Sequence, residues 1–104
     1  MAHLHFTDTQ HAAVVATIRA LIKSHGKQDS RCLAETYVFL YDFYREYGYM
    51  PTLEEMGRGL YLSAPGAKKR LDKLRRRGVI DYRKNTRLIK IMALEGGYND
   101  AAEG

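Results

Sequence analysis

The sequence predicts a mainly α-helical fold that ends in a small β-hairpin. Over most of residues 8–77, apolar residues recur three or four positions apart, the spacing of a helix face. After Gly78 the pattern changes to the alternation of apolar and polar residues that is typical of strands. The chain has 104 residues, a length that suits one compact domain rather than two independent cores.

Two helices are predicted in the first half of the chain, at residues 8–25 and 31–47. In the first, the apolar residues Val14, Ile18, Leu21 and Ile22 stand at helical spacing. The polar segment at residues 26–30 predicts a loop, because it has no apolar residues and its aspartate or serine can cap the helix that follows.

The second helix carries more aromatic residues than one packing face needs. Tyr37, Tyr41 and Tyr44 fall on one stripe, whereas Phe39 and Phe43 form a second stripe about 60 to 80° away. One neighbouring element would not cover both stripes. Either the first helix packs on the phenylalanine side or a second copy of the protein does, and we favour the intrachain core because aromatic stripes mostly belong to cores.

A short third helix and a longer fourth helix follow, with a tight turn between them. Thr52 and Glu55 stand at the spacing of a capping box, which predicts a third helix at residues 53–60. Ser63 at an N-cap position predicts a fourth helix over residues 63–77. That helix has one narrow apolar stripe, formed by Ala67, Leu71 and Leu74.

Two strands are predicted at residues 79–82 and 88–91, joined by a basic segment. Two short helices linked by a tight turn and followed by a basic hairpin form a winged helix-turn-helix, here with an additional N-terminal helix. We therefore divide the chain into an N-terminal helical extension (1–30), a winged helix-turn-helix domain (31–93) and a flexible acidic tail (94–104).

The charges are concentrated in one third of the chain. Between Arg58 and Lys90 there are twelve basic and two acidic residues, a net charge of +10, while the remaining residues carry five basic and ten acidic ones. General solubility would be served better by mixed signs. The concentration of positive charge therefore indicates a polyanionic partner.

The fourth helix and the hairpin are the candidate contact elements. A helix with a thin apolar stripe and a broad basic face can enter the major groove, while a basic loop can hold phosphates or reach the minor groove. We predict DNA contacts from the following residues of the fourth helix and the hairpin: Ser63, Ala64, Pro65, Gly66, Lys68, Lys69, Arg70, Lys73, Arg76, Arg83, Lys84, Asn85 and Arg87.

Three motifs connect these elements to a known family. They are Tyr-Gly-Tyr-x-Pro-Thr at residues 47–52, Leu-Tyr-Leu-Ser at 60–63 and Leu-x-x-Leu-x-x-x-Gly-Val-Ile at 71–80. Over residues 44–92 the chain resembles the N-terminal winged-helix domain of LexA-type repressors. The resemblance implies sequence-specific operator binding as a dimer. We see no counterpart of the self-cleaving C-terminal domain of those repressors, and we expect no LexA-style damage response.

We expect a sequence-specific double-stranded DNA-binding protein, a small prokaryotic or phage transcriptional regulator acting as a homodimer in the cytoplasm. The alternative is a winged-helix protein-interaction module or a replication or assembly accessory factor, although such a module would not need so positive a face. No serine or carboxylate has the partners of a catalytic site, and the single cysteine and four histidines form no metal-site pattern. We therefore expect no enzymatic activity, cofactor, small-molecule ligand or membrane association.

Overall fold

The computed structural model of the chain describes residues 6–23, 27–82 and 89–94. The predicted mainly α-helical fold with a small hairpin is confirmed. The elements in chain order are α1 (Asp8–Lys23), α2 (Lys27–Tyr47), α3 (Leu53–Leu60), α4 (Ala64–Arg76), β1 (Ile80–Tyr82) and β2 (Ile89–Ile91). None of the helices in this part of the chain is long and apolar enough to cross a membrane.

Helix α2 lies at the centre of the fold, since α1, α3 and α4 all pack against it. Its side chains Leu33, Tyr37 and Leu40 are fully buried. Met56 from α3 and Leu71 and Leu74 from α4 complete the core, which extends into the hairpin.

Helix α2 begins at Lys27, so the predicted loop is wrong for residues 27–30. The segment lacks the apolar spacing that identifies a helix in a sequence, but a first helical turn does not need apolar side chains. Ser30 is a buried residue within this helix rather than its cap. The predicted boundary between the N-terminal extension and the winged helix-turn-helix domain therefore falls inside α2.

Helix α1 packs on the tyrosine stripe of α2, so the prediction that it covers Phe39 and Phe43 is wrong. Val14 and Leu21 are its buried residues. Just before the helix, the Phe6 ring centroid lies 5.8 Å from that of Tyr41. The apolar spacing of α1 identified its buried face, but it could not show which of the two stripes on α2 that face would meet.

The phenylalanine stripe has other neighbours. Phe39 lies against Gly59 of α3. The Phe43 ring centroid is 4.6 Å from that of Tyr47 and 5.8 Å from that of Tyr49. Phe39 thus joins the intrachain packing through α3, whereas Phe43 belongs to an aromatic cluster at the end of α2.

Strands β1 and β2 pair antiparallel, with Ile80 opposite Ile91 and Tyr82 opposite Ile89. These four side chains are buried, and the pair between them faces outward. Leu94 follows the hairpin and is also buried, and its carbonyl accepts a hydrogen bond from the Gln10 side chain of α1 at 3.5 Å. The N-terminal helix and the end of the hairpin thus belong to one core.

Candidate nucleic-acid interface

N-cap hydrogen bonds fix the residues at which helices α3 and α4 begin. Thr52 and Glu55 form the predicted capping box: the Thr52 N–H donates to Glu55 Oε1 at 2.8 Å, and the Glu55 N–H donates to Thr52 Oγ1 at 3.0 Å. At the start of α4, Ser63 Oγ accepts the Gly66 N–H at 3.1 Å. Each hydrogen bond satisfies a backbone group that has no partner within the helix, so both helices begin where the sequence predicts.

The turn between α3 and α4 is tight. Tyr61 has φ 59° and ψ 49°, in the left-handed region, and its N–H donates to the Gly57 carbonyl. The Leu62 N–H donates to the same carbonyl at 2.8 Å. A Cβ on Gly57 would meet the Leu62 carbonyl oxygen, so this close return of the chain requires a glycine.

The basic residues of α4 occupy three sides of the helix. At about 100° of rotation per residue, Lys69 and Arg76 lie within about 20° of the direction opposite the buried stripe. Both are exposed, as is Lys68, which lies toward the hairpin side. Of the predicted contact residues, Lys69 and Arg76 therefore have the most outward positions on α4.

The side of α4 that faces α2 forms a groove of about 470 Å³. The Arg70 guanidinium donates to the Cys32 carbonyl at 3.4 Å and to Thr36 Oγ1 at 3.2 Å, which ties α4 to α2. Arg70 thus has partners within the fold, and four of the predicted contact residues come together here. The groove is lined by Cys32, Leu33, Leu62, Gly66, Lys69, Arg70 and Lys73.

The residues at the N-terminal end of α4 are small and partly exposed to solvent. Ser63 and Pro65 are exposed, while Ala64 and Gly66 are half-buried. The Ser63 hydroxyl oxygen accepts the capping hydrogen bond, but its own proton remains available for donation to another acceptor. This end combines backbone N–H groups, a positive helix dipole and little side-chain bulk, which suits the approach of an anion.

The other side of α4 holds the hairpin in place. Arg75 Nη1 donates to the Tyr82 carbonyl at 3.1 Å. Burial raises the pKa of Tyr82, the Asp72 carboxylate raises it further, and the Arg75 guanidinium lowers it. Lys90 is exposed on the outer face of β2. The predicted contact residues Arg83, Lys84, Asn85 and Arg87 lie outside the described residues.

Two exposed residues beside α4 were not among the predicted contacts. Arg58 lies in the last turn of α3, and Tyr61 forms the turn itself with 93% of its surface exposed. In the sequence, Arg58 is the first basic residue of the positively charged segment. The sequence places Tyr61 in the turn between the two helices, away from the stripe that holds the buried tyrosines, but it does not indicate how far the side chain is exposed.

Comparison with protein families matches residues 27–87 to the family described as LexA DNA binding domain. The match covers more than half of the chain and extends from the first residue of α2 into the segment between β1 and β2. Searches of the curated proteins and of the solved structures found no match.

Proposed function

Because the chain belongs to the LexA DNA binding domain family, we propose that it is a sequence-specific regulator of transcription that binds double-stranded DNA. In this proposal α4 enters the major groove and the hairpin acts as the wing. The protein is a DNA-binding protein rather than an enzyme. It works as a homodimer, since one winged helix contacts too few base pairs for useful specificity.

The observation that carries the proposal is the exposed basic face of α4. Lys69 and Arg76 lie opposite the buried stripe, while the groove beside them adds the ammonium group of Lys73. A helix of this length, packed on one narrow side, can insert its opposite side into a groove about 12 Å wide. The hairpin lies beside it, since α4 packs on β1.

The two elements have different parts in recognition. Lys69 is on a rigid helix and can make a fixed hydrogen bond to a base edge, which distinguishes one base pair from another. Lys84 lies in the basic segment between the strands and supplies positive charge to phosphates. The proposal thus assigns sequence preference to α4 and sequence-independent affinity to the hairpin.

The test compares Lys69→Ala with Lys84→Ala on duplexes selected from random sequences by the wild-type chain, and on scrambled duplexes. Lys69→Ala should change the preferred sequence, with a cost of about 1 to 3 kcal/mol at the affected base pair. Lys84→Ala should weaken binding to all duplexes about equally and lower the salt slope by about 1. Lys23→Ala on α1 is the control, because it removes an exposed lysine from a helix outside the proposed contact face.

Fluorescence anisotropy of labelled duplexes at several salt concentrations measures all four proteins. If about six phosphates are contacted, log K for the wild type should fall with log salt at a slope of about −5. Affinity without salt dependence contradicts the proposal. If Lys84→Ala changes sequence preference and Lys69→Ala does not, the hairpin rather than α4 reads the bases.

A second candidate function is a winged-helix protein-interaction or assembly factor. The aromatic cluster at the end of α2 favours it, because Tyr47 and Tyr49 keep 48% and 52% of their surfaces exposed around Phe43. Exposed aromatic side chains are common in protein interfaces. A wild-type chain that binds no duplex at low salt would support this candidate over the regulator.

A further inference from the structure

Tyr61 combines a strained backbone conformation with a side chain that is almost fully exposed. Among the described residues it is the one non-glycine residue with positive φ, at 59°. The residue is 93% exposed, so its side chain adds almost nothing to the core. A bulky residue in the left-handed region is uncommon, and such residues cluster at functional sites.

The turn requires this backbone conformation but does not require a tyrosine. The Tyr61 and Leu62 N–H groups both donate to the Gly57 carbonyl, and this pairing fixes the left-handed residue after α3. Glycine would adopt the same conformation without steric conflict. Neither the hydrogen bonds of the turn nor the core therefore accounts for an aromatic ring at this position.

The position of Tyr61 suggests a use for the ring. It lies two residues before Ser63, the N-cap of α4, and follows exposed Arg58 in the last turn of α3. In the proposed function α4 enters the major groove, and we take its N-terminal end, with its small residues and exposed Ser63, to lie nearest the DNA. A side chain that projects from the preceding turn would then stand at the groove edge, where the sugar–phosphate strand passes.

We infer that Tyr61 is a DNA-backbone contact whose phenol hydroxyl donates a hydrogen bond to a phosphate beside the groove occupied by α4. This inference rests on the proposed function. Tyrosine hydroxyls are among the side-chain groups that bond phosphate oxygens and so fix the register of a protein on the duplex. The phenol is neutral, so the contact positions α4 without releasing counterions.

Three substitutions at Tyr61 test the contact by affinity. Tyr61→Phe removes only the hydroxyl and should weaken binding about tenfold, as expected for a hydrogen bond to a charged group. Tyr61→Gly and Tyr61→Asn remove the ring but tolerate the left-handed conformation, and they should weaken binding at least as much. The losses should be equal on selected and scrambled duplexes, and the salt slope should stay unchanged because no cation is lost.

Thermal unfolding of the same variants separates the contact from a role in folding. Tyr61→Gly and Tyr61→Asn should leave Tm unchanged or raise it by about 4 °C, through relief of backbone strain. A marked fall in Tm would show that the ring stabilises the free protein and would overturn the inference.

A spectroscopic test measures proximity directly. The chain has no tryptophan, so Tyr61→Trp introduces a single tryptophan whose emission reports on this position alone. Its emission should shift or be quenched when duplex DNA is added. If anisotropy shows binding while the emission stays constant and Tyr61→Phe binds like wild type, the inference fails and the proposed function stands. If the wild type does not bind any duplex, the proposed function itself fails.

Discussion

At the scale of single residues, two glycines of α3 show how closely this helix is packed. A Cβ on Gly57 would meet the backbone carbonyl oxygen of Leu62, whereas a Cβ on Gly59 would meet the end of the Phe39 ring. A backbone atom in a hydrogen-bonded turn can hardly move, but a side-chain ring can rotate away. The sequence indicates that Gly57 faces inward, but it cannot reveal that the obstacle is the chain itself, five residues further on.

Gly57→Ala and Gly59→Ala form a matched pair in one helix. Both gain about 1 kcal/mol of helix propensity, so the difference between them isolates the contact. Gly57→Ala should lower the free energy of unfolding by about 1 to 3 kcal/mol, since the turn must open. Gly59→Ala should change it by less than about 1 kcal/mol. Urea unfolding followed by circular dichroism measures both values, and equal losses would refute the assignment.

Tyr37 illustrates a buried polar group on the same scale. Its side chain is completely buried, and burial raises its pKa to about 12, while the nearby Thr17 hydroxyl lowers that pKa to a smaller extent. Within the described part of the chain its hydroxyl forms no hydrogen bond of good geometry, so Thr17 is a neighbour rather than a full partner. The neutral form is therefore the one that the folded protein accommodates.

The raised pKa predicts loss of stability in alkali. The unfolded tyrosine ionises near pH 10, whereas folded Tyr37 ionises near pH 12. The contribution of Tyr37 to the free energy of unfolding is fully present below pH 10 and is lost as the pH rises toward 12, because the tyrosine of the unfolded state releases its proton first. A difference of about two pH units corresponds to about 3 kcal/mol at most.

The free energy of unfolding of Tyr37→Phe should therefore fall less steeply between pH 10 and 12 than that of the wild type. At pH 7 its stability should be within about 1 kcal/mol of wild type, since the hydroxyl has no strong partner to lose. Urea midpoints at a series of pH values measure the effect. The idea is wrong if both proteins lose stability in parallel through this range.

At the scale of elements, the sequence predicts a helix well where a cap and an apolar stripe coincide. Helices α3 and α4 have both, and their predicted starts agree with the structure to within one residue. The first turn of α2 has no apolar stripe, and the sequence offered Asp29 or Ser30 as its cap, so the prediction missed the first four residues. For α4, periodicity gives the side of the helix on which Arg70 lies. It cannot identify the partner, because Thr36 is 34 residues away in the chain.

Neighbouring arginines of α4 should separate the support of the hairpin from the binding of DNA. Arg75→Ala removes the hydrogen bond to the Tyr82 carbonyl and should cost about 1 kcal/mol of unfolding free energy. Arg76→Ala removes an exposed guanidinium group from the outward face of α4. It should leave the free energy of unfolding unchanged while weakening DNA binding severalfold. Chemical unfolding and anisotropy on the two variants measure both quantities. Identical profiles would show that the two side chains are not divided in this way.

At the scale of the whole molecule, the described residues include an apolar groove that the core does not fill. Between α1 and α2 lies a groove of about 570 Å³ lined by Ile18, Ile22, Arg31, Ala34, Glu35 and Val38. Ile22 keeps 57% of its surface exposed. Arg31 and Glu35 carry opposite charges one helical turn apart. A two-fold axis that passes between these two residues would place each beside its opposite on a second copy, so we propose this groove as the self-complementary surface of the homodimer.

The sequence leads to the idea of a dimer but not to this surface. The excess of apolar and aromatic side chains in residues 8–47 predicts that these residues supply much of the dimer interface. Helix α1 contributes both to the core and to the open groove. Only the packing of α1 on the tyrosine stripe shows which apolar residues are left over. The phenylalanine stripe, the other candidate in the sequence, is partly occupied by α3.

Ile22→Lys should therefore weaken dimerisation at least tenfold, because it places a charge in the apolar groove. Ala20→Lys is the matched control, since it adds the same charge to an exposed position of α1 outside the groove. Arg31→Glu should also weaken the dimer, and the double variant with Glu35→Arg should recover it, because the two-fold pairing is restored with its signs exchanged. Sedimentation or light scattering measures the dimer, and anisotropy on a two-half-site duplex measures its use. A wild type that is strictly monomeric both free and on DNA would contradict the dimer, and a wild type that dimerises while Ile22→Lys does so equally well would place the contact elsewhere.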